Sequence, residues 1–397
     1  MTASGASGLF VSRGIGVGRV IQMNWLLVLL ILILATIGIA MQYSVAGGAW
    51  SPWAGPQAIR LIFGLILMFV LASAPIGWWM RAAYPSYILS LLLLIAVEFF
   101  GRTGKGAQRW LDLGPVGLQP SEFMKIALVL ALARYYHGCP AQDLGKFSTA
   151  VPALVLIGLP AALVFMQPNL GTTILLVGSG GAIIFLAGLR WRYIAVAGVM
   201  AAIAAPLAYF FVLHDYQRER VLTFLDPSTD PLGSGYNVTQ SKIAIGSGGV
   251  FGRGIGEGTQ AQGDFLPEKQ TDFIFTALAE ESGFIGAALL LALFAAVMVV
   301  CIRAAIRCRN AFGRLAIAGV TATFAGYVFI NTSMVMGLIP VVGIPLPLVS
   351  YGGSVMLTVL VGFALVLAGD RDRDLALGAS RLNLSVSIGA GRRRAKD

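Results

Sequence analysis

The chain has 397 residues, 57% of them hydrophobic and only 12% charged, with a mean hydropathy of +0.81. That composition excludes an ordinary soluble enzyme, and the lack of alternating ten-residue apolar strands excludes a spanning β-barrel. The formal net charge of +10 does not point to nucleic acid, because the basic residues are scattered over loops and not gathered on one face.

Residues 1–20 read as a Gly/Ser-rich cytoplasmic tail with two arginines. No signal peptide is expected, since the apolar run that follows is too long for one. Residues 21–370 then carry ten apolar runs, at 24–44, 57–75, 80–100, 121–138, 149–166, 170–188, 192–213, 273–302, 313–338 and 350–369. About 20 residues cross a hydrocarbon core of roughly 30 Å, so the expected fold class is an all-α polytopic membrane protein of about ten transmembrane helices. The eighth run is long enough to predict tilt or an extension beyond the bilayer.

Orientation follows from the positive-inside rule. With the N-terminus inside, the inner loops carry Arg81, Lys146, Arg190, Arg192, Arg303, Arg307, Arg309 and Arg314. A basic tail at 371–397 adds Arg371, Arg373, Arg381 and "RRRAK", and is expected to be cytoplasmic and disordered. The short opposing loops at 45–56, 167–169 and 339–349 hold no Lys or Arg. Cys139, Cys301 and Cys308 have no metal-ligand spacing and read as small hydrophobes in a reducing compartment. His137 and His214 cannot make a zinc site alone.

Two opposing segments break the rule. The first, "GRTGKGAQRWLDLGPVGLQPSE" (101–122), places Arg102, Lys105 and Arg109 where an anionic lipid headgroup or lipid pyrophosphate would have to partner them. At its end, Glu122 and Lys125 stand three apart and predict a structural ion pair. "QPNLGTTILL" (167–176) reads as an outer turn and a helix start. The second segment, the expected periplasmic loop 214–272, carries Arg218, Arg220, Lys242, Arg253 and Lys269. It predicts a short interfacial or re-entrant helix near 238–246, then a "GSGG" turn whose backbone N–H groups could face phosphate.

Next comes "FLPEKQTDFIFTALAEESGFIG" (265–286). Thr271 or Asp272 stands at the expected helix start, where a cap stabilises by about 1 kcal/mol. Glu268 and Asp272, four apart, share a face if this turn is helical, with Lys269 between them. Two carboxylates and a cation at a membrane surface suit a site that moves a proton beside a polyanion. Glu280 and Glu281 fall inside the apolar run and read as a buried structural pair, with a transporter-like proton relay as the alternative. Residues 331–357 join the last two spans through a Pro/Gly-rich apolar hairpin. Irregular backbone at that depth must be buried in protein or line a cavity, and it is expected to wall the outer-facing one.

The motifs "GAQRWLDLGPVGLQPSEFMKIAL", "QPNLGT", "YQRERVLTFLDP", "GYNVTQSKIAIGSGGVFGRG", "FLPEKQTDFIF", "EESGFIG" and "PLPLVSYGGS" together resemble the shape, elongation, division and sporulation (SEDS) family, and its elongation-type members more than its division-type members. The resemblance implies a ten-span fold in the bacterial inner membrane and a peptidoglycan glycosyltransferase that polymerises lipid II on the periplasmic side. It also implies a class B penicillin-binding protein as partner, within the cell-elongation machinery. The family's essential aspartate falls on Asp272, its tryptophan of the "RW" motif on Trp110, its "PE" glutamate on Glu268, and its fourth-span Glu/Lys pair on Glu122 and Lys125. Two positions depart from the family: Gln270 stands where His is usual, and Asn169 where Asp is usual.

The chemistry so implied needs a base for an attacking sugar hydroxyl and positive charge for a departing pyrophosphate. Asp272 is the candidate base. Arg109, Lys125, Arg218, Arg220, Lys242 and Lys269 are candidates for the pyrophosphate, with Trp110, Glu268, Gln240 and Ser241 as further substrate contacts. A divalent cation, Mg or Mn, could share the work through Glu268 or Asp272, although no cage-like ligand set is visible. The lipid tails should lie in a groove between spans, open to membrane lipid. The competing readings are a lipid II flippase, a division-type polymerase, and a non-catalytic scaffold of the cell-wall machinery.

Overall fold

A computed structural model describes residues 20–104, 107–112, 117–211, 215–226, 230, 233–263, 265–375 and 377. Both expected tails fall almost wholly outside these residues, as does His214.

Among the described residues, ten long helices stand where the apolar runs predict them. They are α1 (Trp25–Val45), α2 (Ala54–Ser73), α3 (Ile76–Phe100), α4 (Pro120–Gly138), α5 (Phe147–Met166), α6 (Leu170–Leu186), α7 (Trp191–Phe211), α11 (Ile274–Arg307), α12 (Ala311–Val335) and α13 (Gly353–Arg371). Seven of them, all but α4, α6 and α7, are long and apolar enough to cross a membrane. Their starts are legible in local chemistry. Asn24, Asn169 and Asn310 cap α1, α6 and α12, each accepting a backbone N–H three residues on. Pro120 opens α4, where its missing N–H removes nothing.

The bundle is layered. Helices α4, α12 and α13 form its centre and are buried on nearly every face. Helices α2, α3 and α5 bury one stripe and present the rest outward. Such outward apolar surface belongs in lipid. At the tail end of the bundle, Arg371 donates to the carbonyls of Ala72 and Ala74, while Asp372 accepts from Ile76 N at 2.9 Å. These bonds pin the end of α13 to the corner between α2 and α3.

At the opposite end, which we call the loop face, three features were not expected. Three short strands form a small antiparallel sheet in the order β1 (Arg102–Gly104), β2 (Ala107–Asp112), β3 (Gly117–Leu118), pairing Arg102 with Trp110 and Leu111 with Leu118. The loop 214–272 contains not one short helix but α8 (Asp215–Leu225), α9 (Ser234–Ser247) and the single turn α10 (Thr259–Gln262).

The third feature is a break in α11. Gly283 has φ 68 and ψ −167, so the long helix is two segments. The Gly-rich strand after α9 inserts into the break. Arg253 N and Gly254 N donate to the carbonyls of Glu280 and Glu281, and Phe284 N and Ile285 N donate to those of Gly249 and Val250. A Cβ on Gly283 would stand 2.3 Å from Gly252 N, so only glycine fits this splice. The segment after Gly283 is about 36 Å long at 1.5 Å per residue, enough to span alone. Glu280 and Glu281 therefore lie before the break, where Glu281 meets Ser44 in the last turn of α1.

Candidate functional site

Residues 268–273 are a turn and not the first turn of α11. The cap position is Phe273, so neither Thr271 nor Asp272 caps the helix, and Glu268 and Asp272 do not share a helical face. Glu268 has φ 58, and its carboxylate accepts the Thr271 hydroxyl at 3.0 Å.

The three carbonyls that follow are each held from outside. Gln42 of α1 donates Nε2 to Gln270 O at 2.8 Å, and Tyr351 N donates to the same oxygen at 2.8 Å. Ser350 Oγ donates to Thr271 O at 2.6 Å. Asn331 of α12 donates Nδ2 to Asp272 O at 2.8 Å. The clamps are themselves fixed: Asn331 also reaches Ile344 O, Ser350 Oγ accepts from Leu346 N, and Gln57 Nε2 reaches Ser350 O. Leu348, inside this loop, has φ 67. Backbone strain of this kind, of order 1–3 kcal/mol, persists where its surroundings over-determine it.

The loop 336–352 thus forms the floor of the site, and three charged side chains touch it in order. Lys242, exposed on α9, lies over Gly337, with its Nζ 2.7 Å from where a Cβ there would stand. Asp272 Oδ2 lies 3.5 Å from the corresponding point on Gly343. Arg60 of α2 stacks on the Tyr351 ring, its guanidinium carbon 4.6 Å from the ring centroid. Beyond the floor, Ser354 in the first turn of α13 donates to Gly117 O, and the Trp110 ring packs over Gly117. Trp110 is 38% exposed. Below β3, an apolar cavity of about 360 Å³ runs between α2, α3, α4 and α13, bounded by Leu118 at one end and Leu71 and Trp78 at the other.

Several candidate contacts are committed elsewhere. Ser241 is wholly buried, its hydroxyl 2.6 Å from Thr276 Oγ1 and donating to Val335 O, so it ties α9 to α11 and α12 and does not face the site. Lys269 is buried and donates to Ala261 O, while Glu280 accepts from Thr259 Oγ1, Gln260 N and Ala261 N. Those two residues therefore hold α10 between them. Glu281 accepts the Ser44 hydroxyl at 2.7 Å. Among the described residues neither glutamate forms an ion pair with a cation.

Arg218 donates to Tyr209 O and Phe210 O, closing the C-terminal end of α7, where a cation complements the helix dipole. Arg109 reaches the carbonyls of Gln167 and Pro168 and ties the sheet to the turn before α6. Asn169 caps that helix through its side-chain oxygen, a role that Asp would also fill. Lys125 is fully buried and donates to Glu122 at 2.6 Å and to Tyr327. Gln240 is half-buried on α9. The Arg220 side chain lies outside the described residues. In the "GSGG" turn, Gly248 N and Gly249 N donate to Ala244 O and Gly246 O and close the end of α9, while Gly249 O accepts from Phe284 N in the splice.

Among the described residues no three His, Cys, Asp or Glu side chains gather to hold a metal ion, and Glu268 is turned to Thr271. The donor set does not fit a metal cage. The residues that sequence reasoning missed are Gln42, Arg60, Asn331 and Ser350. A signal existed for two of them: Gln42 and Arg60 are polar residues within apolar helices, which marks a buried polar interior.

The chain matches the FtsW/RodA/SpoVE family model, described as cell cycle protein, over residues 20–374. Peptidoglycan glycosyltransferase MrdB of Escherichia coli strain K12 is 49% identical over 311 residues, covering 78% of this chain and 83% of that protein. A chain solved in work on the structural coordination of polymerization and crosslinking by a peptidoglycan synthase complex superposes with a TM-score of 0.78 at 33% identity, covering 89% of this chain and 99% of that one. The crystal structure of Thermus thermophilus rod shape determining protein RodA superposes with a TM-score of 0.68 at 29% identity, covering 89% and 98%.

Proposed function

Because this chain belongs to the FtsW/RodA/SpoVE family of cell cycle proteins, we propose that Asp272 is the general base of a peptidoglycan glycosyltransferase that joins lipid II units on the periplasmic side of the bacterial inner membrane. The activity is that of the relative at 49% identity, and the chain is a multi-pass membrane enzyme of this kind. The similarity to MrdB and to a rod shape determining protein favours cell elongation over division. A peptidoglycan synthase complex among the structural neighbours supports a class B penicillin-binding protein as partner.

In this reading the acceptor sugar's 4-hydroxyl attacks C1 of the donor. Its proton passes to the Asp272 carboxylate. The bond from C1 to the lipid diphosphate breaks, with its electron pair going to the diphosphate oxygen. One in-line displacement inverts the α-linked donor and gives the β-1,4 bond. The base contributes about 10²–10⁴-fold in rate. Of the basic candidates whose side chains are described, Lys242 remains exposed against the floor loop and suits the leaving group. Trp110 suits a sugar face, and the apolar cavity below β3 suits a polyprenyl chain. No step is routed through a metal ion.

The observation that carries the proposal is the clamp on residues 270–272, which fixes the backbone of one carboxylate from three separate elements. A flippase reading would draw on Glu280 and Glu281, whose oxygens are already engaged by Thr259, Ser44 and backbone N–H groups. The test is purified protein with its partner and lipid II, comparing wild type with Asp272→Asn. Folded Asp272→Asn that polymerises at the wild-type rate would sink the assignment, and leaflet scrambling without polymer would point to the flippase.

A further inference from the structure

Arg60 stands in the second turn of α2, a helix that is apolar apart from Gln57, Arg60 and Ser73. Helical periodicity puts Gln57, Arg60, Leu61 and Gly64 on one face. That face packs along α13: a Cβ on Gly64 would meet Leu360, and a Cβ on Gly353 would meet Arg60 Nε at 3.2 Å. The guanidinium is oriented by its stack on Tyr351. Its Nη1 is closed off from solvent and makes no hydrogen bond, and no described carboxylate forms an ion pair with Arg60.

Other helix-borne arginines settle differently. Arg134 reaches the carbonyls of Met80 and Arg81, and Arg371 those of Ala72 and Ala74. An arginine inside an apolar helix with neither carbonyl nor carboxylate is expensive unless an anion meets it. The start of α13 offers no acid: it has no acidic residue in its first turn and no side-chain cap at Gly352. The positive end of that helix adds to the guanidinium's potential.

We infer that Arg60, stacked on Tyr351 beside the start of α13, recognises a phosphate group of the lipid-linked diphosphate donor. The inference rests on the glycosyl-transfer reading and deepens it. Tyr351, the residue that orients Arg60, bonds through its own N–H to Gln270 O, two residues from Asp272. A guanidinium whose plane is fixed by stacking suits directed contact with phosphate oxygens through its remaining N–H groups, which lysine cannot reproduce. Contact with the phosphate oxygens would hold the donor in the ground state, and the oxygen that bridges C1 and phosphorus takes the electron pair as the C1–oxygen bond breaks. A bulk phospholipid headgroup carries the same chemistry, so the test must separate the two sources.

The experiment uses the full chain together with its penicillin-binding partner in nanodiscs of phosphatidylcholine, with and without phosphatidylglycerol, as wild type, Arg60→Lys and Arg60→Gln. Three quantities are read: the KM and kcat for lipid II, inhibition by undecaprenyl diphosphate, and direct binding of inorganic pyrophosphate. Thermal unfolding checks that each variant is folded. The expected result for Arg60→Gln is a KM raised roughly 10-fold to 100-fold, as loss of a charge-assisted contact implies, with weaker product inhibition and weaker pyrophosphate binding. Arg60→Lys should fall between. An unchanged KM together with a lost response to phosphatidylglycerol overturns the substrate assignment and gives the arginine to bulk lipid. Unchanged values throughout overturn the inference altogether. If wild type makes no polymer, the glycosyl-transfer reading fails, while pyrophosphate binding by wild type against Arg60→Gln still decides the role of Arg60.

Discussion

Asn331 donates its side-chain amide to the backbone carbonyl of Asp272 at 2.8 Å, across 59 residues of sequence. With Ser350 on Thr271 O and Gln42 on Gln270 O, it makes the position of one carboxylate depend on α1, α12 and the floor loop together. A displacement near 1 Å at a reacting group lowers rate by about 10²-fold. Ser350→Ala and Asn331→Ala should therefore lower kcat by roughly 10-fold to 100-fold while leaving the KM for lipid II close to wild type. Steady-state kinetics on folded protein check this. A raised KM with kcat intact would place these residues on the substrate instead.

Much of the scaffold was legible. Ten apolar runs became ten helices because length and hydropathy are local properties, and Asn24, Asn169 and Asn310 mark their starts by side-chain chemistry alone. What was not legible depends on distant contact. Gly283 reads as one more small residue in an apolar run, and only the strand from 249–254 makes it a break. The strands at 102–118 are two to six residues long, too short for alternation to show. Glu268, Lys269 and Asp272 read as one charged lip, but Lys269 turns away to the α10 backbone, whose other side Glu280 holds. Asp272 was found by motif, while Asn331 and Ser350, which hold it, were legible only as parts of a Pro/Gly-rich hairpin.

The splice at Gly283 should be intolerant. Gly283→Ala must place a Cβ at φ 68 and 2.3 Å from Gly252 N, and the four cross-bonds would be lost together. We expect a marked fall in folded yield and thermal stability, with new protease cleavage between residues 247 and 256. Size-exclusion profiles in detergent and limited proteolysis measure both. A wild-type melting curve for Gly283→Ala would show that α11 can straighten.

Glu280→Gln should act on the loop and leave chemistry largely intact. The carboxylate accepts three donors at 2.9–3.2 Å, two of them backbone N–H groups of α10. An amide would turn a donor toward at least one of those hydrogens and leave it unsatisfied, destabilising by about 1–3 kcal/mol. Hydrogen exchange at residues 259–263 should rise, while the KM for lipid II stays within a few-fold of wild type. If kcat collapsed with exchange unchanged, Glu280 would belong to the reaction.

The buried pair in α4 makes the sharpest stability prediction. Lys125 and Glu122 are 2.6 Å apart, with 1% and 4% of their side chains exposed, and the Tyr327 hydroxyl donates to Glu122 at 2.5 Å. Removing one partner leaves an uncompensated charge among apolar side chains, which costs about 3–5 kcal/mol. Lys125→Met alone should therefore unfold at much lower temperature than the Lys125→Met, Glu122→Gln double variant, in which Tyr327 can still find an amide oxygen. If the double variant regains folding but not polymerisation, the charges serve the reaction as well as the fold. Equal melting temperatures for single and double variants would mean that Glu122 finds relief elsewhere, and the pair could not be what fixes α4 against α12.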